Sequence, residues 1–522
     1  MLSLLLQVAL AAFSLSFLVR LLRQRNSRGH PLPPGPPAYP LVGHLGVLPQ
    51  FNAERAFEKW AKEYGSDVLY FNVLGQSIVV LNSVKSAVSL LDKRGTIYSD
   101  RPPFTMGWHD NLPFMRSNDP RFPVHRRVFQ NEFSKSEGRN YEDIQLLEAR
   151  KLVRKLVNNP QDWHKLFRTF TVAVTIRILI GHEIKSADDL YVKLTDAITK
   201  AATEGGAPGA AGVDFLPWLI HLPTWCDPTG STAVIHKYKD AKAKMNTIPY
   251  NRIVEEMEAG TAKSSFILKI LEEEERRQQN GEPRSLTERG IQGLSGAVYT
   301  GEPALADKPT QTLDSMIIFI FAIVNHPEVQ ARAKAELDAV VGPSRMPDFA
   351  DRPNLPYIER IIQETFRFWP VIPVGPHKVT EDDVYEGMFI PKGSIVIYNA
   401  YAMAHDENVY SDHCRFNPDR YLLKAQGGLG EPMPDGQFGF GRRICPGRYM
   451  AEGTLFIAIA SMLHVFAIVK GRDENGEEVT IDPATAEYTS GLSSHPTKVV
   501  CDIHPHSKER ANLAIAHDPD VE

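Results

Sequence analysis

The feature that most constrains this chain is a glycine-punctuated loop near its C-terminus. Phe438-Gly439-Phe440-Gly441-Arg442-Arg443-Ile444-Cys445-Pro446-Gly447 runs straight into Arg448 to Leu463, an apolar stretch compatible with a helix. A cysteine placed there meets unpaired backbone donors and the positive end of a helix dipole. Arg442, Arg443 and Arg448 flank it, and all of these favour a thiolate over a thiol. A thiolate acts as a nucleophile or as a metal ligand. The nucleophile reading needs a nearby histidine and an orienting acid, and no sequence signature supplies them. The ligand reading is the better supported.

With 522 residues, 43% hydrophobic and 23% charged, the chain can bury a large core and has no disordered, collagenous or coiled-coil bias. Its length also accommodates a single large domain. Lys+Arg 58 against Asp+Glu 63 leaves a net charge of -5, which excludes nucleic acid as an expected partner. Cys226, Cys414, Cys445 and Cys501 are scattered, with no CxxC and no paired histidine spacing. No disulfide framework or structural zinc is expected, a reducing compartment fits, and the other three cysteines read as small buried hydrophobes.

Residues 1–22 are apolar enough over Leu2 to Leu22 to cross a bilayer as a helix. Arg20, Arg23, Arg25 and Arg28 follow, and no charged side chain precedes them, so the basic-inside preference puts the rest of the chain in the cytosol. A cleaved signal peptide is the alternative, with Ala9-Leu10-Ala11 as a cleavage site, but the basic segment expected before it is missing. Residues 23–40 read as a basic, proline-rich hinge, whose Pro31, Pro33, Pro34, Pro36, Pro37 and Pro40 stiffen the backbone.

Residues 41–510 form the expected catalytic domain and 511–522 a polar tail. Helical spacing over 51–64, 136–158, 161–182, 233–258, 311–341 and 355–368 predicts a mainly α fold with small β-sheets. Asp67 to Val73 and Ser77 to Leu81 predict one hairpin. Gly387 to Pro391 and Ser394 to Asn399, turning at Lys392-Gly393, predict another. The charged run Glu272 to Arg277 reads as a solvated helix face.

Phe438, Gly441, Arg443, Cys445 and Gly447 together resemble the haem-binding signature of the cytochrome P-450 family of haem-thiolate monooxygenases. The resemblance implies the cytochrome P-450 fold and a haem b whose iron is bound through Cys445, where thiolate favours O–O cleavage. It further implies that Arg443 pairs with a haem propionate and that the glycines let the backbone approach the macrocycle. Glu364 and Arg367, one helical turn apart, together with Arg420 in Phe416-Asn417-Pro418-Asp419-Arg420-Tyr421, resemble the family's buried Glu-Arg-Arg network. Arg126 in Phe122-Pro123-Val124-His125-Arg126, Arg101 in Tyr98-Ser99-Asp100-Arg101-Pro102 and His377 in Pro373-Val374-Gly375-Pro376-His377 match segments that reach the propionates, with Phe122 replacing the family's tryptophan. Asp382-Asp383 with Tyr385, Gly387 and Ile390-Pro391-Lys392-Gly393 is similar to the fungal group of O-methylsterigmatocystin oxidoreductase. The family implies a single-pass endoplasmic reticulum protein with a cytosolic catalytic domain. It also implies a lipophilic small-molecule substrate, from secondary metabolism or xenobiotics, and an NADPH-cytochrome reductase. Phe104 to Phe114, Phe215 to Trp218, Val371 to Val374 and Gly491-Leu492 would line the substrate pocket.

One departure stands out. The family's oxygen-activating turn, an acid followed by a threonine, is interrupted here by Glu302-Pro303-Ala304-Leu305-Ala306-Asp307-Lys308-Pro309-Thr310-Gln311. The spacing exceeds the family pattern by about two helical turns, and Pro303 and Pro309 break a regular helix. Three readings are open. The insert bulges and leaves Thr310 or Thr312, with Asp307 or Glu302, beside the iron. Alternatively it abolishes normal oxygen activation, leaving peroxide-driven or isomerase chemistry or a haem or ligand carrier. In the third reading it is a retained intron in the deduced sequence. Sequencing the transcript across codons 295–315 decides the last: reads that all carry the insert eliminate it.

Overall fold

Leu74 and Gly75, both at positive φ (50° and 83°), close a tight hairpin between β1 (Val68–Val73) and β2 (Gln76–Leu81). Consecutive left-handed residues are what a two-residue hairpin turn requires, so the first predicted hairpin forms as the sequence implies. The computed structural model describes residues 29–516 apart from 41, 50, 103–109, 187, 205–212, 214–216, 228, 302–310, 490 and 492. The expected membrane anchor, Asp307 and Thr310 lie outside the described residues. The chain divides into two compact units.

The first unit draws on Met1–Pro103, Val374–Met403 and Gly439–Arg443. Its four-stranded sheet has the order β1, β2, β6, β3, with β3 spanning Val374–Lys378 and β6 Ile395–Asn399. β6 runs parallel to β2 (Ile78 opposite Ile395) and antiparallel to β3 (Val374 opposite Asn399). The second predicted hairpin is therefore corrected. β5 (Met388–Ile390) pairs with β4 (Asp383–Tyr385) through Glu386-Gly387, both at positive φ, and β6 goes elsewhere. The reason is burial: Ile395, Val396, Tyr398 and Asn399 are all buried, and a strand apolar on both faces belongs between two others rather than in an edge hairpin.

Helix α1 (Ala53–Tyr64) is tied to this sheet by Asn399, whose Nδ2 donates to Glu54 O (2.8 Å) and Asn82 Oδ1 (2.9 Å). The proline segment is more than a spacer. Pro34 O accepts from Tyr70 N (2.9 Å) and Pro31 O from Phe389 N (2.7 Å), so it is docked along the sheets. A side chain at Gly35 would strike Tyr70 O.

The second unit draws on Phe104–Pro373, Ala404–Phe438 and Ile444–Glu522. Its helices of nine or more residues are α2 (Phe122–Glu132), α3 (Glu142–Asn158), α4 (Trp163–Ile180), α5 (Leu190–Glu204), α6 (Ser231–Glu258), α7 (Phe266–Gln279), α8 (Glu288–Gly301), α9 (Gln311–Asn325), α10 (Pro327–Val340), α11 (Pro356–Phe368), α12 (Arg448–Val465) and α13 (Lys508–Ala516). β7 (Phe466–Lys470) and β8 (Cys501–Pro505) form an antiparallel pair. The single helix predicted over 311–341 is two, bent by 105° at His326-Pro327, because proline cannot continue the hydrogen-bond ladder. Every residue from Thr312 to Val324 is buried, so the apolarity of α9 belongs to a protein core. Among the described residues no single helix is long and apolar enough to cross a membrane.

Two surface expectations change. Glu273 and Arg276 do pair in solvent, but Glu274 is buried and accepts from Ser285 N (2.9 Å), fastening the approach to α8. Cys414 is exposed rather than a buried hydrophobe. The boundary expected at 511 falls inside α13, where Arg510 donates to Asp338 Oδ1 (2.6 Å) and Gly342 O (3.0 Å).

Replacing Asn399 with Leu strands Glu54 O and Asn82 Oδ1 in a buried place. Urea denaturation should show a loss of about 2–3 kcal/mol.

Candidate functional site

The cysteine loop closes on itself before its helix begins. Cys445 N donates to Phe438 O (2.8 Å), Arg448 Nη1 donates to Cys445 O (3.2 Å), and α12 starts at Arg448 with Gly447 as its first flanking residue. Cys445 is half-buried, and a Cβ on Gly447 would sit 3.9 Å from its sulfur. The Phe438 ring packs edge-on against Phe366 of α11, with centroids 5.1 Å apart. Arg126 on α2 donates through Nη2 to Ile444 O (2.6 Å), which brings that arginine to the residue before the cysteine. Thus the second unit assembles Phe438, Cys445, Gly447 and Arg126 around one loop.

The first unit gathers the remaining candidates around the stretch Tyr98 to Arg101, which follows a short helix. His377, on β3, donates through Nδ1 to Tyr98 O (2.9 Å), and Arg443 Nε donates to Ser99 O (2.7 Å). Arg101 Nη1 donates to Pro376 O, and Lys378 N to Asp100 O (2.8 Å). Gly441 sits at φ 53°, and a Cβ there would run into Leu91 O, so only glycine fits. His377 is fully buried on a strand, not a solvated loop residue. Burial first, then the nearby Arg101 and Arg443 charges, push its pKa well below the usual histidine value, so the imidazole is neutral. Burial also lowers the pKa of Arg101. The Asp100 carboxylate acts the other way and supports the Arg101 charge.

The thiol loop of the second unit suits a haem. Among the described residues no group of three or more His, Cys, Asp and Glu could hold a metal ion. A lone thiol at a helix start therefore ligates iron only when the other ligands come with the metal, as from a porphyrin.

α11 and a 3₁₀ turn at Pro418–Tyr421 build the predicted charge network. Glu364 is fully buried and accepts from Arg367 Nη2 (2.8 Å) and Nε (2.9 Å), Arg420 Nε (3.0 Å), Asn417 N (2.9 Å) and Tyr421 OH (2.7 Å). Burial works against the Arg367 charge, but the Glu364 carboxylate outweighs it and raises the pKa. The sequence reading missed a fourth member, Glu431, which accepts from Arg420 Nη1 (2.5 Å) and balances the charge. It lies in a glycine-rich stretch with no periodic signal. Also missed is Asp314 on α9, fully buried with Oδ1 2.9 Å from His495 Nδ1. Thr312 is buried on the same helix, two residues earlier.

The sequence model of the cytochrome P450 family matches residues 33–487, spanning the thiol loop, the cation cluster and the buried network. This chain belongs to the cytochrome P450 family. A cytochrome P450 monooxygenase of Armillaria gallica is 34% identical over 510 residues, covering 96% of this chain and 97% of its own. Cytochrome P450 monooxygenase 208 of Postia placenta is 35% identical over 522 residues, covering 98% of each. Cytochrome P450 monooxygenase COX2 of Coprinopsis cinerea is 35% identical over 494 residues, covering 92% of this chain and 90% of its own. This P450 is a haem-dependent monooxygenase, an oxidoreductase, and the carrier alternative is not favoured.

Removing one member of the buried network leaves an uncompensated charge. Arg420→Met should lower stability by roughly 3–5 kcal/mol in chemical denaturation. The histidines give a pH signature. His377 lies well below 6.5 in the folded chain, so below that pH only the unfolded chain takes up its proton, and stability falls as pH drops. His377→Asn should flatten that fall by up to about 1.4 kcal/mol per pH unit, read from denaturation at pH 6.5 and below.

Proposed function

We propose that this P450 inserts one atom of O2 into a lipophilic small molecule of secondary metabolism or xenobiotic origin, with electrons from a membrane-bound NADPH-cytochrome reductase. The overall reaction takes substrate, O2, NADPH and a proton to hydroxylated product, water and NADP+. The observation that carries this reading is the closed thiol loop at the start of α12, with Cys445 N bonded to Phe438 O.

Bound haem supplies the redox chemistry that activates O2 at iron. The chain does the rest. Cys445 would hold the iron as thiolate, while the closure onto Phe438 O and the helix start fix the sulfur and favour its negative charge. Arg101, Arg126 and Arg443, with neutral His377, would pair with and hydrogen-bond the propionates, and Gly441 and Gly447 keep the loop backbone close. Glu364, Arg367 and Arg420 hold α11 to the segment before the thiol loop and touch no reacting atom. On the oxygen side, Thr312, Thr310 and Asp307 are the residues proposed to orient and pass protons.

Residues 1–22 are proposed as an endoplasmic reticulum anchor, 23–40 as a hinge, and 41–510, continued by α13, as a cytosolic catalytic domain. The apolar make-up of Val371 to Val374 and of the segments around Phe114 and Trp218 supports a lipophilic substrate. Arg442 and Arg448 are proposed to meet the acidic face of the reductase.

Reduced protein under carbon monoxide should give a strongly red-shifted Soret band that Cys445→Ala abolishes. A band at the shorter wavelength in the unmodified protein would sink the thiolate assignment. Glu substitutions at Arg442 and Arg448 should slow reduction by the reductase and weaken its salt dependence. Unchanged rates at every ionic strength would rule out that docking surface.

A further inference from the structure

We infer that this P450 grips its substrate by a neutral hydroxyl or carbonyl group, received at a polar subsite on α8 between Asn111 and Asn246. The inference rests on the monooxygenase reading above and names the substrate class for it: an oxygenated lipophile rather than a bare hydrocarbon or an acid.

Gly290, Gly293 and Gly296 recur at three-residue spacing along one side of α8. Alone, such a stripe means only close packing. What faces it is unusual. A Cβ on Gly296 would meet Asn246 Oδ1, from α6, and lie 2.9 Å from Asn111 Oδ1. On Gly293 it would lie 2.7 Å from Asp110 O and 3.4 Å from His125 Cε1, and on Gly290 it would lie 3.6 Å from His125 Nε2. Asn111 and His125 are both 0% exposed. Neither side-chain atom of Asn111, neither ring nitrogen of His125, nor Oδ1 of Asn246 has a hydrogen-bond partner. Three polar side chains from three elements are therefore aimed at one glycine face with their bonding capacity unused.

Leaving such groups unbonded inside a protein is costly, and apolar residues of the same shape would be preferred if the role were packing alone. A ligand that bonds them removes the cost. Whichever way an amide is turned, it offers a donor and an acceptor, which a hydroxyl matches on both counts and a carbonyl on one.

The side chains over the glycine face are themselves uncharged. Arg121 pairs with Asp110 (2.7 Å) and Asp119 (2.7 Å), and Arg289 pairs with Asp110 (3.0 Å), so the adjacent ionic groups are engaged with one another. Lys242, one turn before Asn246, faces the Asp110 charge. Burial, reinforced by the Arg121 charge, pushes His125 down to about 4, so the imidazole is neutral at physiological pH. The groups over the glycine face carry no formal charge, which favours a neutral ligand over a carboxylate.

The test uses the full haem-loaded chain and calorimetric titration with matched probes: cedrol against cedrane, androstan-17β-ol against androstane, and androstane-17β-carboxylic acid. Each alcohol should bind about ten-fold tighter than its parent hydrocarbon, the worth of a buried hydrogen bond. Asn111→Leu, Asn246→Leu and the space-filling Gly296→Ala should each cut that ratio several-fold while leaving hydrocarbon affinity and the carbon monoxide band in place. Melting temperature adds a second readout, since Asn111→Leu should hold or raise it if the amide is unbonded in the free protein. Equal affinity for alcohol and hydrocarbon, no binding heat from either alcohol, tighter binding of the acid, or a lowered melting temperature with an unchanged ratio would each overturn the subsite. Heat of binding is read independently of iron, so a missing carbon monoxide band with a preserved alcohol preference would count against the haem-thiolate reading and not against the subsite.

Discussion

Four charges with almost no exposure to water form the constraint on which the larger unit depends. Glu364 can be buried because five donors converge on its two oxygens, and Arg420 can be buried because Glu431 neutralises the charge that Glu364 shares with Arg367. Arg367 also spans to Ala404 O (3.0 Å) and His413 O (2.8 Å), so one side chain pins α11 to the long irregular stretch that leads to Phe438. A loop rich in glycine and proline has little local preference for one shape. Its geometry is set by fixed points of this kind, and loss of any one would leave a charge stranded at low dielectric.

The cation cluster of the smaller unit follows a different logic. Arg101, His377 and Arg443 are held by backbone carbonyls of Pro376, Tyr98 and Ser99, which orient the side chains. Burial first, and then the Arg101 and Arg443 charges, keep the histidine neutral. β3 and β6 supply the rigid frame, since His377 pairs with Val396 and Lys378 with Ile395 in the ladder.

α8 and α9 flank the stretch where this P450 departs from its family. α8 carries glycines and faces unbonded polar groups, whereas α9 is buried along its whole length and carries Asp314 against His495. An acid on α9 follows Thr312 in this chain, while the family's acid precedes its threonine. α8 runs to Gly301 and α9 begins at Gln311.

By itself the sequence determined what depends on near neighbours. A cysteine ahead of a helix, flanked by arginines, is legible because dipole and charge act over a few residues, and so is the Leu74-Gly75 hairpin beside its alternating strands. The Glu364 to Arg420 pairing was readable only through the family pattern, as i,i+3 charges are common and Glu273 with Arg276 shows the same spacing in solvent. Tertiary structure alone decided the rest. It placed β6 between β2 and β3 instead of in a hairpin with β5, buried Glu274 and His377, drew Glu431 into the network, and set Asn111 and His125 over the glycines of α8. Each of these turns on desolvation and on partners far away in the chain, and neither quantity is written in local periodicity.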